Sequence, residues 1–136
     1  MEIFNRSTLK GFFQKGKVPT EVHFSNLIDS TINKIDDGFA KTVDNGLKLS
    51  PGGDSSKVLS FYSDIKESTP LWSVSVNPSQ SLKGLSISEK NDNSRLFLRD
   101  GGNIGVGTLY PDHDLEVNGT AGMKSRVGTF QSINEV

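Results

Sequence analysis

The sequence predicts an α+β fold, with a helical segment over residues 1–45 followed by a β-region of short antiparallel strands over 46–136. Three observations carry this. Apolar residues recur at helical spacing before residue 45 and alternate with period two after it. The second region is punctuated by PGGDSS, NPSQS, EKNDN, RDGGN and VNG, all of them turn chemistry. Hydrophobic residues make up only 33% of the 136, below the usual globular share. A chain so short of core-forming side chains is either irregular in part or completes its core with other chains.

The first helix is expected through Phe12 and Phe13, with Ser7 as its N-cap and Gly16 in the left-handed position after its end. Pro19-Thr20-Glu21 reads as a second start, Thr20 capping the helix and Glu21 near its positive end. Gly38 ends it. Along this second helix Phe24, Leu27 and Thr31 fall on one side, whereas Ile28, Ile32, Ile35 and Phe39 follow the 4-3-4 spacing of a coiled-coil seam. One stripe suits packing on the first helix and the other suits neighbouring copies. Isoleucine at both seam positions favours three or more chains over two. A single broad monomer face is the competing reading of the same spacing.

The β-region offers candidate strands at Leu47–Leu49, Val58–Tyr62, Leu71–Val76, Gly84–Ile87, Ser94–Arg99, Asn103–Gly107 and Asp114–Val117. Trp72, Val74 and Val76 alternate with Ser73 and Ser75, and Leu85 and Ile87 with Ser86 and Ser88. That alternation predicts antiparallel strands with one wet face. The result is a thin sheet, and the helical segment is too small to cover it. An intertwined or side-by-side homotrimer is the expected solution.

Bulk properties exclude several classes. A net charge of −1 removes the electrostatic basis for binding nucleic acid. Without cysteine the chain has no disulfide, thiol nucleophile or thiolate metal site. The opening MEIFNRSTLKGFFQKGK has no apolar run long enough for a signal peptide or a membrane span. No membrane insertion is expected, and action outside the cell would follow lysis or delivery by an assembled machine.

The segment 101–119, GGNIGVGTLYPDHDLEVNG, poses the sharpest question. A phosphate loop needs a lysine and a Ser/Thr directly after its glycines, but Gly107 is followed by Thr108, Leu109, Tyr110 and Pro111. The dinucleotide fingerprint G-x-G-x-x-G is not matched either. Glycine within a strand is kept where another backbone comes close or the chain must bend. Ile104 and Val106 then present branched side chains on one face, with Gly105 leaving bare backbone on the other. This arrangement suits crowding around a three-fold axis, which makes Ile104, Gly105, Val106 and Gly107, with Ile28, Ile32, Ile35 and Phe39, the expected trimer interface.

GNIGVGTLYPDHDLEVNGT resembles the GN-[IV]-G-[IV]-GT-x-x-P-x-x-x-L-x-V-x-G segment of tail fibres of bacteriophages and contractile injection systems. The resemblance spans Gly102 to Thr120, and SRLFLR (94–99) is similar to the strand that precedes the motif there. FFQKGKVPTEVHFSNLIDSTINKIDDG (12–38) resembles a helical segment that begins such fibres. The resemblance implies a homotrimeric, elongated, non-enzymatic structural protein in a virion or extracellular injection particle, assembled in the cytoplasm. It implies docking of the helices on a baseplate or other apparatus protein, with a cell-surface receptor or glycan as a further partner. GMKSRVGTFQSINEV departs from the pattern, since it carries neither the Ser/Lys machinery of a self-cleaving chaperone nor a recognition tip. Val127 and Phe130 read as the start of a further strand, and the chain as the N-terminal part of a longer fibre.

Catalytic, cofactor and metal sites are not expected. His23 beside Phe24 suits a solvated or capping role, Asp112-His113-Asp114 lacks further ligands at metal spacing, and Asp36-Asp37-Gly38 lacks the ladder of a calcium loop. The serines have no G-x-S-x-G elbow. A hydrolase reading would need a nucleophile from outside the chain. Tyr62, Trp72 and Tyr110 could stack on sugars, against the plainer reading that they pack between chains. A glycan- or protein-binding module is therefore the alternative function.

Overall fold

A computed structural model describes residues 4–124, which divide after Ser55 into two compact units. The division lies ten residues beyond the expected boundary because a small hairpin belongs to the first unit. The further strand expected around Val127 and Phe130 lies outside the described residues.

The first unit holds two short helices, α1 (Arg6–Phe12) and α2 (Glu21–Asp29), and a hairpin of β1 (Phe39–Thr42) and β2 (Gly46–Leu49). Asn5, two residues before the expected Ser7, caps α1; its carboxamide oxygen accepts from the Thr8 amide at 2.9 Å. Thr20 caps α2 as expected, and His23 completes the box: its amide donates to the Thr20 hydroxyl, and its Nδ1 accepts from the Thr20 amide at 3.2 Å. The same imidazole stacks on Phe12 with centroids 4.3 Å apart, and Phe13 meets Phe24 edge-on at 5.3 Å. Thr20→Ala removes one side of this box and should lower stability by about 1 kcal/mol. A thermal melt followed in the helical signal checks it.

The second helix is shorter than its apolar spacing predicts. The Ser30 hydroxyl donates to the Asn26 carbonyl at 2.6 Å and the Thr31 hydroxyl to the Ile28 carbonyl at 2.8 Å. Asn33 Oδ1 then accepts from the amides of Ile35 and Asp36, and Asp37 accepts from the Asn33 amide. These polar side chains supply the local backbone partners that helix continuation would supply, and so turn the chain. The expected helical seam is corrected accordingly: Ile28 lies in α2, Ile32 and Ile35 in the turn segment, and Phe39 in β1. All four are exposed.

The second unit is one six-stranded sheet in chain order: β3 (Lys57–Phe61), β4 (Trp72–Val76), β5 (Gly84–Glu89), β6 (Asn93–Arg99), β7 (Ile104–Val106) and β8 (Leu115–Val117). The seven strands expected between residues 47 and 117 are each present within two residues of their expected bounds, the first of them as β2. Neighbours are antiparallel except β7 and β8, which pair in parallel. The all-antiparallel expectation fails there because residues 107–114 fold back across the sheet and return β8 in the direction of β7. Between β5 and β6 a tight turn, Lys90–Asp92, holds Asn91 and Asp92 at positive φ, and the register shifts at Ile87/Ser88.

Burial across this sheet is the reverse of the expected pattern. Ser73, Ser75, Ser86 and Ser88 are buried, whereas Trp72, Leu85 and Leu98 on the opposite face are each more than a third exposed. Among the described residues, Leu82 and Phe97 are the buried hydrophobics. Small serine side chains admit the chain's own loops: Pro78 and Leu109 share a cavity of about 120 Å³ with Ser75, Ser86, Ser88 and Ser94. The Ser86 hydroxyl is 3.1 Å from that of Ser88 and 2.9 Å from that of Ser94, so burial leaves these groups hydrogen-bonded.

Candidate functional site

The strand registers assemble the apolar residues of the β-region into rows on one face. Leu59, Val74, Ile87, Leu96, Val106 and Val117 lie side by side across all six strands. Val76, Leu85, Leu98, Ile104 and Leu115 form a second row across β4 to β8. At the other margin Phe61 and Trp72 run on to Glu89, whose carboxylate is bonded by both Nε and Nη2 of Arg95. Because side chains alternate faces along a strand, every member of both rows points away from the buried serines. The two rows contain no charged side chain.

Ile104 and Val106 sit within this surface, as their alternation with glycine predicts. Gly105 points the other way, opposite Phe97, and is buried. A β-carbon on Gly105 would collide with the carbonyl oxygen of Thr108 and lie 3.0 Å from its Cγ2. Gly107 has a φ of +72°, donates its amide to the Arg95 carbonyl at 3.0 Å and accepts from the Asn118 side chain at 3.3 Å. The backbone that crowds Gly105 is therefore the chain's own, and Gly107 is set by its positive φ. Convergence of three chains is not needed to explain them.

Candidate polar sites are engaged in building turns. The Asp112 amide donates to Glu116 Oε2 at 2.8 Å, and His113 Nδ1 lies 3.7 Å from the same oxygen. Among the described residues no group of three or more His, Asp or Glu side chains is gathered for a metal ion, and no helix is long and apolar enough to cross a membrane. No histidine lines the serine cavity. Tyr110 overlooks an open groove of about 510 Å³ lined also by Asp92, Asn93, Arg95 and Thr108. Its polar groups have partners nearby: Asp92 pairs with Lys57 at 2.8 Å, Asn93 donates to the Lys90 carbonyl, and the Thr108 hydroxyl accepts from the Tyr110 amide. Tyr62 and Trp72 are part-exposed, Trp72 on the apolar face.

The sequence pattern singles out Ile104 and Val106 among the members of the two rows and leaves most of the others unmarked. Their signal was the serine alternation itself, read with the wrong face inward. Comparison with protein-family models, with curated proteins and with solved structures finds no match to this chain.

Proposed function

We propose that the chain is a structural, non-enzymatic subunit: a homotrimeric fibre or adaptor segment of a phage-like tail or contractile injection apparatus that supports attachment to a target cell surface. One observation carries the reading. The sheet closes its serine face with its own loops and leaves its apolar face open, which suits a chain that completes its core in an assembly. The resemblance of Gly102–Thr120 to tail-fibre segments supplies the kind of assembly. In this reading the helical unit attaches to a baseplate or other apparatus protein, the β-unit extends the shaft, and neither needs a cofactor. The working location is a virion or an extracellular injection particle.

Light scattering on the full chain at micromolar concentration should give three times the 14.8 kDa chain mass. A monomer would sink the proposal.

The open groove beside Tyr110 favours a second reading, a glycan- or protein-binding module. Specific binding on a glycan array that disappears in Tyr110→Ala would select it.

A further inference from the structure

We propose, on the binding-module reading of the groove beside Tyr110, that its ligand is a neutral oligosaccharide and that the Tyr110 ring is the platform on which one pyranose stacks.

Tyr110 is 65% exposed, more than any other aromatic side chain among the described residues. Its backbone is nonetheless held on both sides. The Tyr110 amide donates to the Thr108 hydroxyl at 3.1 Å. The next residue, Pro111, is fully buried, and its carbonyl accepts from the Asn103 side chain at 2.9 Å. An aromatic ring left in water on an anchored backbone forgoes the burial that such rings ordinarily contribute. A flat ligand with an apolar face recovers that burial, and little order is lost because the platform is already fixed.

The charges around the groove select against an ionic ligand. Asp92 and Arg95 are the charged side chains among the residues that line it. Asp92 Oδ1 pairs with Lys57 at 2.8 Å, and both Nε and Nη2 of Arg95 bond Glu89 Oε2. Each charge is balanced locally, so an anion or a cation entering the groove gains little net attraction.

Neutral hydroxyls fare better. A carboxylate has more lone pairs, and a guanidinium more N–H groups, than one ion pair uses. Asp92 and Arg95 therefore keep capacity to accept from and donate to a ligand while their partners hold them in place. Asp92 also sits in a tight left-handed turn with Asn91, at φ of 60° and 64°, which limits its freedom before any ligand arrives. Ser94 and Leu109 line both this groove and the serine cavity, so hydroxyls that donate and accept adjoin it. A pyranose matches this division, with an apolar C–H face for Tyr110 and a rim of hydroxyls for the polar side. At about 510 Å³ the groove is within the usual size of a small-ligand site.

The test uses the full chain on an array that carries neutral and acidic oligosaccharides side by side. We expect binding to neutral members, undiminished by added salt. Affinity should fall about tenfold or more in Tyr110→Ala and be retained in Tyr110→Phe, which keeps the ring. Because the side chain is largely in solvent, neither substitution should move the melting temperature. An array on which no neutral glycan is bound would overturn the proposal, as would binding that survives Tyr110→Ala. Binding confined to acidic glycans and lost in Tyr110→Ala would overturn the ligand class alone and leave the binding-module reading standing. Solution mass on the same sample separates this site from the assembly: a trimer that binds no glycan loses only the site, and a monomer that binds one loses only the trimer.

Discussion

Phe97→Ala is expected to unfold the β-unit or leave it marginal. Phe97 is fully buried and is the largest such side chain among the described residues. Its register places it opposite Ser86 on β5 and Gly105 on β7, so it has small neighbours on both sides. These register neighbours are too small to fill the space that truncation would leave. Large-to-small changes of this kind cost about 3–5 kcal/mol, against a typical domain stability of about 5–15 kcal/mol. Urea denaturation at fixed protomer concentration, followed in the strand signal, measures the loss. A shift below about 1 kcal/mol would mean that the serine face is not the core of the unit.

Gly105→Val should be nearly as damaging, and by a different route. The substituent meets the Thr108 carbonyl, which belongs to the backbone and cannot rotate away as a side-chain tip would. Overpacking costs about 1–3 kcal/mol where neighbours can shift, and the upper end applies here. The loss should appear as unfolding within each chain, with the same free energy at every protein concentration once subunit association is factored out. Dissociation into folded single chains would instead restore the idea that glycines crowd an axis. Phosphate or a nucleotide should produce no thermal shift in the parent, because Gly105 and Gly107 face their own chain. A clear shift would revive the phosphate-loop reading.

The order and extent of the elements were largely legible in the sequence. Turn clusters such as RDGGN and the period-two alternation depend on local stereochemistry and located the β-region strands within a residue or two. Thr20 announced the start of α2 because a cap is a local hydrogen bond. The end of α2 was harder to see. Apolar spacing continues through Ile32, Ile35 and Phe39, and only the competition from Ser30, Thr31, Asn33 and Asp37 for the backbone stops the helix.

Tertiary structure alone decided which face of the sheet is the inner one. Alternation establishes that serines and aliphatics occupy opposite faces but carries no label for the face a loop will cover. That depends on Pro78 and Leu109, in the segments after β4 and β7, coming up to the serines, which are small enough to admit them and whose hydroxyls can bond one another. The requirement for Gly105 is of the same kind. Sequence marks a glycine in a strand as a place of close approach, but the identity of the approaching backbone, Thr108 of the same chain, follows only from the path of the loop between β7 and β8.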